Sequence, residues 1–142
     1  MEFKFHVEGG DFMSAGTAAS QVKKALRQIN IAPAIIKRVA VALYEAEINI
    51  VAHAHRGNIK VFIGPQQVNI RLDDEGPGIE NIEQAMRKGF STASQQVRDM
   101  GFGAGMGLPN IKENSDFFTI RSEVGKGTEL EITINTTKFE KN

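Results

Sequence analysis

The chain has 142 residues, 41% hydrophobic and 24% charged, a balance typical of one globular domain with a single core. Its 17 basic side chains balance 17 acidic ones, which argues against broad electrostatic attraction to nucleic acid or to a membrane. The absence of cysteine excludes disulfides, thiolate nucleophiles and zinc–thiolate sites. No apolar run reaches the roughly 18 residues of a membrane span, and the N-terminus lacks a signal-peptide pattern, so we expect a cytoplasmic protein.

The N-terminal part of the chain predicts one strand followed by two helices. Apolar and polar residues alternate over 2–7, the pattern of a half-buried strand. Apolar residues at helical spacing then predict an amphipathic helix over about 12–29. Pro33 suits the first turn of a second helix, which we expect to run to about Ala54 and to end at the C-terminal signal of Gly57.

The remainder of the chain predicts two hairpins separated by a loop-rich segment. Four strands are expected, at residues 59–63, 68–73, 117–123 and 128–135. Asn81 is expected to cap a short helix that runs to about Lys88, and another helix is expected to begin in a glycine-rich run and to end near Asn114. No regular element is predicted over 89–105.

This order of elements predicts an α+β fold. Strands that meet through hairpins and helices that are segregated along the chain favour a two-layer sandwich, with a mixed, mostly antiparallel sheet and the helices on one face. We expect a single domain over residues 1–136 and a frayed tail at 137–142.

Three polar residues recur at every fourth position of the second predicted helix: Glu45, Asn49 and His53. This spacing places them on one face of the helix. A solvated stripe is the simplest interpretation, although asparagine is a poor choice for an ordinary helix position. The alternative is a functional face, with Asn49 as a ligand for a hard cation and Glu45 as a general base. We expect His53 to close the helix end rather than to take part in chemistry.

A first glycine cluster, DEGPG at residues 74–78, directly follows a predicted strand. A structural turn explains such a sequence, since proline and glycine are common turn residues. A carboxylate before two glycines also suits a pocket for a nucleotide base. In that interpretation Asp74 accepts a hydrogen bond from an exocyclic amine, while Gly76 and Gly78 let the backbone approach the plane of the ring.

A second cluster places four glycines at alternate positions over 101–107, at the start of a predicted helix. Bare N–H groups at a helix N-terminus form a site for anions. The spacing matches neither the Walker pattern nor the dinucleotide-binding pattern, so this run alone is a weak indication.

The order of these motifs along the chain is more specific than any one of them. It resembles the Bergerat-fold (GHKL) ATP-binding domain shared by histidine kinases, gyrase and bacterial anti-sigma-factor serine kinases. Residues 44–53 (YEAEINIVAH) resemble its N box, residues 74–78 its first glycine box, residues 103–108 (GAGMGL) its second, and residues 125–128 (GKGT) its terminal motif. The resemblance extends from the first strand to about Ile134.

A domain of this size with the sequence GFST at residues 89–92, before the second glycine box, is similar to the small serine/threonine kinases of the anti-sigma and stressosome switch group. These kinases are called RsbW-like and RsbT-like. Within this group, the motifs of the chain most resemble the short form found in the RsbT-like branch. Residues 93–100 are additional to the short form of that branch, so the branch and its partner stay open.

The resemblance implies that ATP or ADP and Mg²⁺ bind the chain. It implies that Asn49 holds Mg²⁺, that Asp74 accepts from the adenine amino group, and that Glu45 is the catalytic base. It also implies that the amides of 103–107 bind the phosphates under a lid at 89–100. The implied nucleotide-binding residues are Asn49, Asp74, Gly76, Gly78, Gly103, Ala104, Gly105, Met106, Gly107, Leu108 and Thr128.

The implied reaction transfers a phosphoryl group from ATP to a serine or threonine of a small STAS-domain anti-sigma-factor antagonist. The alternative is a non-catalytic, nucleotide-gated switch that sequesters a sigma factor or activates a phosphatase. The presence of both Glu45 and Asn49 favours catalysis. A detached domain of a two-component kinase is disfavoured because no phosphotransfer helices are predicted. The oligomeric state stays open, with a homodimer among the options, as does any basic contact to the γ-phosphate from Arg56, Arg87, Lys88 or Arg98.

Overall fold

A computed structural model of the protein describes residues 1–87 and 107–136. The strands are β1 (Glu2–Glu8), β2 (Arg56–Ile63), β3 (Gln67–Glu75), β4 (Phe117–Glu123) and β5 (Gly127–Asn135). The helices are α1 (Thr17–Gln28), α2 (Pro33–His53), α3 (Ile82–Ala85) and α4 (Gly107–Glu113). Within these ranges, no helix is both long enough and apolar enough to cross a bilayer.

The five strands form one sheet in the order β1-β2-β3-β5-β4, and each neighbouring pair is antiparallel. Side chains along β2 alternate strictly between exposed and buried, so one face of the sheet meets water and the other meets the helices. The predicted α+β sandwich with helices on one face is therefore confirmed.

The core lies between the inner sheet face and α2. Leu43 and Ile50 of α2 are fully buried together with Ile59, Ile70 and Ile132 from three neighbouring strands. Burying an aliphatic side chain of this size contributes about 1.5–3 kcal/mol, so α2 is held firmly against the sheet. Since α1 and α4 both pack against α2, this helix sets the position of both.

The first helix begins later than its apolar pattern predicts. A single 3₁₀ turn occupies Phe12–Ser14, and Gly16 then adopts a left-handed conformation with φ of 96° before α1 starts at Thr17. The expected start near Phe12 is therefore wrong. A Cβ atom on Gly16 would lie 3.3 Å from the Tyr44 ring, so close packing on α2 adds to the conformational requirement for glycine.

The N-terminus of α1 is capped by a side chain from α2. Gly16 occupies the N-cap position and offers no side chain. The Glu47 carboxylate, only 2% exposed, instead accepts hydrogen bonds from the backbone N–H groups of Ala18 (3.1 Å) and Ala19 (3.3 Å). These donors have no partner within the helix, and the positive end of the helix dipole also favours a carboxylate there.

Gly57 does not terminate α2, contrary to the expectation from sequence. The helix ends at His53, and Gly57 lies inside β2 opposite Asp74 of β3. A Cβ atom on Gly57 would lie 2.8 Å from Ile50 Cδ1 and 2.9 Å from the Asp73 carbonyl oxygen. Glycine is therefore needed because helix and sheet approach each other closely there, not because a helix ends.

The remaining elements follow the predictions with shifted boundaries. The side chain of Asn81 accepts from the Gln84 N–H at 2.9 Å and caps α3, which ends at Ala85. The predicted end of this helix at Lys88 lies outside the described residues, as does the predicted tail at 137–142. Both strands of the first hairpin are longer than predicted, because β2 begins at Arg56 and β3 continues to Glu75.

Candidate functional site

The polar face of α2 meets the start of α4. Glu45 and Asn49 are half-buried and lie one helical turn apart. The Asn110 side-chain amide donates to Glu45 Oε2 at 3.1 Å. A Cβ atom on Gly107 would lie 2.9 Å from Asn49 Oδ1. The backbone of Gly107, the last glycine of the second cluster, is therefore packed closely against the Asn49 side chain. The predicted site residues Glu45 and Asn49 of α2 therefore lie close to Gly107 of the second glycine cluster.

The second glycine cluster is described only from Gly107 onward. Leu108 is buried in the core and anchors α4, which is a packing role. The other predicted residues of this cluster lie outside the described residues: Gly103, Ala104, Gly105 and Met106. Their predicted contacts with phosphate stay a prediction.

Asp74 and Thr128 lie together at the other side of the site. The Thr128 backbone N–H donates to Asp74 Oδ1 at 3.0 Å, which joins β3 to the start of β5. Burial raises the pKa of Asp74, and the hydrogen bond from Thr128 opposes this shift. A Cβ atom on Gly127 would lie 1.9 Å from the Asp74 carbonyl oxygen, so only glycine permits this approach.

Gly76 and Gly78 are packed against the protein's own backbone. A Cβ atom on Gly76 would lie 3.0 Å from Ala54 Cα, just past the end of α2. Gly78 has φ of 75°, and a Cβ atom there would lie 2.4 Å from the Glu123 carbonyl oxygen. This packing requires glycine independently of any ligand. The predicted approach of this backbone to an adenine ring stays a prediction.

Both glycine clusters reach the C-terminal half of α2. The first lies against Ala54, the residue directly after α2, through Gly76. The second lies against Asn49 through Gly107, five positions earlier. Residues that are far apart in sequence therefore surround one segment of this helix. A carboxylate, an amide and two glycine-bearing backbones therefore meet at one end of α2.

Two polar residues of the site were missed at the level of sequence. Asn110 holds the candidate base, and its only sequence signal is an asparagine three positions after Gly107, on the helix that follows the glycine cluster. Ser122 Oγ accepts from the Ile79 N–H at 2.7 Å and lies 2.9 Å from Thr128 Oγ1. Nothing in the strand sequence FFTIRSE distinguishes this serine from an ordinary strand residue.

The other candidates occupy the margin of the site. His53 is the last residue of α2, and burial lowers its pKa, so its imidazole is neutral at neutral pH. The Arg56 guanidinium pairs with Glu75 at 2.9 Å on the surface. Arg87 is exposed, whereas Lys88 and Arg98 lie outside the described residues. In the part of the chain that the structure describes, no three acidic or histidine side chains are grouped as a metal site.

The chain matches a known domain family and resembles several characterised sequences. The model of a histidine kinase-like ATPase domain matches residues 12–134. The serine/threonine-protein kinase RsbT of Bacillus subtilis (strain 168) is 35% identical over 98 residues, which cover 66% of this chain and 68% of the relative. An anti-sigma F factor of Thermoanaerobacter sp. (strain X514) is 34% identical over 103 residues, which cover 69% of this chain and 68% of the relative.

The likeness extends to a longer alignment and to a solved fold. An anti-sigma F factor of Clostridium acetobutylicum is 30% identical over 139 residues, which cover 92% of this chain and 89% of the relative. A chain in the crystal structure of the SiaB–SiaC complex from Pseudomonas aeruginosa superposes with a TM-score of 0.64 over 93% of this chain and 88% of that chain. At 11% identity, this second likeness concerns the fold alone.

Proposed function

The chain belongs to the histidine kinase-like ATPase domain family, and on this premise we propose that it is a cytoplasmic, ATP-dependent serine/threonine protein kinase of a partner-switching system. Its acceptor is a small STAS-domain antagonist of an anti-sigma factor. Relatives named as a serine/threonine kinase and as anti-sigma factors support nucleotide use and partner switching. The observation that carries the catalytic part is the Glu45 carboxylate, held by Asn110 beside Asn49 and Gly107.

Adenine binds at Asp74 in this proposal. A carboxylate oxygen accepts a hydrogen bond from the exocyclic amine, and the contact between Oδ1 and the Thr128 N–H keeps the carboxyl group oriented. The hydroxyl groups of Thr128 and Ser122, 2.9 Å apart, supply further polar contacts at the same end of the sheet. Gly76 and Gly78 set the path of the adjoining loop.

Asn49 fits the role of a magnesium ligand. Its amide oxygen is a hard donor, and Mg²⁺ in nucleotide sites is commonly held by one or two protein oxygens together with phosphates and water. The oxygen lies against the backbone at Gly107, where the proposed phosphate-binding residues 103–107 end. When bound, the ion neutralises charge on the phosphates.

Glu45 acts on the acceptor hydroxyl group. As the hydroxyl oxygen forms its bond to the γ-phosphorus and the bond to ADP breaks, the Glu45 carboxylate takes the hydroxyl proton. Asn110 donates to Oε2, and in this proposal Oε1 of the same carboxylate takes the proton. A half-buried position limits competing water and favours a fixed orientation.

The test is a phosphotransfer assay with [γ-³²P]ATP, Mg²⁺ and purified STAS-domain proteins. The wild-type protein is expected to label one acceptor on serine or threonine. Glu45→Gln is expected to bind ATP normally and to label the acceptor about 10²–10⁴-fold more slowly. Glu2→Gln, which removes the same charge from exposed β1, is expected to behave as wild type. Normal transfer by Glu45→Gln would contradict the base assignment.

A non-catalytic switch predicts a different result. The wild-type protein would then be stabilised by ATP or ADP with Mg²⁺ but would label no acceptor. No stabilisation by either nucleotide at millimolar concentration would contradict both functions, because a ligand that binds only the folded state must raise its stability.

A further inference from the structure

An open groove of about 710 Å³ lies between the C-terminal half of α1, the N-terminal half of α2 and the loop that joins them. Its floor is apolar, with Ile31, Ile36 and Val41 among the lining residues. Three cationic side chains line the same groove: Lys23, Arg27 and Lys37. The groove thus combines a hydrophobic floor with positive side chains.

The positive charge of the groove is not neutralised in the described part of the chain. None of its three cations lies within 4.0 Å of a carboxylate there, although the neighbouring Arg38 pairs with Asp116 at 3.3 Å. The first turn of α2 carries no acidic residue, so the positive end of its dipole adds to the same potential. A chain with zero formal net charge therefore has a local cationic excess at this place.

One residue that lines the groove is close to the candidate base on α2. Val41 lies one helical turn before Glu45 on α2, and residues with this spacing have Cβ atoms about 5–6 Å apart. Tyr44, 39% exposed, adds an aromatic surface beside them. A solvated helix face would place polar residues at these positions, whereas this face carries valine and tyrosine between Lys37 and Glu45.

We propose that this groove docks an acidic segment of the acceptor protein. Apolar side chains of that segment lie on the floor, its carboxylates face Lys23, Arg27 and Lys37, and its hydroxyl-bearing residue is held at Glu45. The inference rests on the proposed kinase function and adds the surface by which the acceptor is selected. Because charge complementarity acts on encounter as well as affinity, binding through this groove depends on salt.

The test compares charge reversal inside and outside the groove. The variant Lys23→Glu/Arg27→Glu/Lys37→Glu is expected to raise the apparent KM for the STAS-domain acceptor by about tenfold or more. Its affinity for Mg·ATP, measured by calorimetry, is expected to be unchanged. Lys24→Glu makes the same kind of change on exposed α1 outside the groove and is expected to leave the KM unchanged. If the triple reversal does not fold, the three glutamine substitutions replace it.

Salt gives a second readout. The apparent KM of the wild-type protein is expected to rise with ionic strength, and that of the triple variant is expected to respond much less. An unchanged KM in the triple variant, with transfer by the wild type intact, overturns the docking proposal alone. Failure of the wild type to label any STAS-domain protein overturns the proposed function, and the docking proposal with it.

Discussion

Two glutamates on α2, Glu45 and Glu47, are chemically identical and only two positions apart, yet the structure gives them different surroundings. A separation of two residues turns the side chains about 200° apart, so they lie on opposite sides of the helix. Glu47 is buried and accepts from the N-terminal amides of α1. Glu45 is half-buried and accepts from one side-chain amide of α4.

The difference lies in what surrounds each carboxylate. Both oxygens of Glu47 accept backbone hydrogen bonds, and the side chain is only 2% exposed, so a ligand does not reach this group. In the part of the chain that the structure describes, the contact of Glu45 uses Oε2 alone. A fully satisfied carboxylate stabilises the scaffold, and a partly satisfied one at a cleft is available for chemistry.

The largest expected effect is on catalysis, at Glu45. Glu45→Gln keeps the size of the side chain but removes the base, and a positioned base contributes about 10²–10⁴-fold to rate. We therefore expect kcat for phosphotransfer to fall by about this factor while the free energy of unfolding in urea changes little. A loss of stability comparable to that expected for Glu47 variants would mean that the two residues do not differ in role.

Glu47 is expected to show the reverse behaviour. Glu47→Ala leaves two backbone N–H groups at the start of α1 buried without an acceptor, and we expect a loss of about 2–4 kcal/mol in the free energy of unfolding. Urea denaturation followed by circular dichroism measures this loss. Glu47→Gln retains one acceptor oxygen and should lose less than alanine.

The folded fraction of Glu47→Ala provides the control. Below its melting temperature, with ATP and Mg²⁺ saturating, its kcat per folded molecule is expected to stay within a few-fold of the wild type. A kcat as low as that of Glu45→Gln would contradict a purely structural role for the α1 cap.

Asn110 tests how the candidate base is positioned. Asn110→Ala removes the donor to Glu45, and we expect kcat to fall about tenfold while the Kd for Mg·ATP and the KM for acceptor stay near wild-type values. Asn110→Asp places a second carboxylate against the first and should lower kcat further. Equal changes in kcat and in thermal stability would indicate packing damage instead of lost orientation.

The sequence predicted most of the fold because the alternation of apolar residues and the hairpin turns are local properties. It also placed Glu45 and Asn49 on one face of a helix, since a repeat of polar residues at every fourth position is visible in the sequence. It could not predict Glu47, because its two partners belong to another helix and only the packed structure brings them together. The same limit explains Gly57, whose requirement comes from Ile50 and from the neighbouring strand.

The candidate site shows the same division between local and tertiary information. Its motif residues were predicted because glycine clusters are conspicuous in sequence. Asn110 and Ser122 were missed, because the role of a single amide or hydroxyl group depends on the group it contacts, and both contacts are made with residues distant in sequence.

Asp74 is a third carboxylate that can be compared with Glu45 and Glu47, and its substitution is expected to have the smallest effect. It accepts one backbone N–H, from Thr128, and burial raises its pKa above the usual 3.8. The folded state then holds the proton more tightly than the unfolded state, so the contribution of Asp74 to stability is lost as pH rises from about 4 through the raised pKa. Asp74→Asn retains an acceptor oxygen without the charge, and we expect a slightly higher Tm than wild type at pH 7.

The pH dependence identifies the cause of that Tm difference. Well below pH 3.8, where the Asp74 carboxyl group is protonated in both states, the Tm of Asp74→Asn is expected to converge on that of the wild type. Asp11→Asn, at an exposed position without a side-chain cap bond, is the control for the loss of one negative charge. A lower Tm of Asp74→Asn at pH 7 would mean that the charged hydrogen bond to Thr128 outweighs desolvation, and Asp74 would then belong with Glu47 among the carboxylates that stabilise the scaffold.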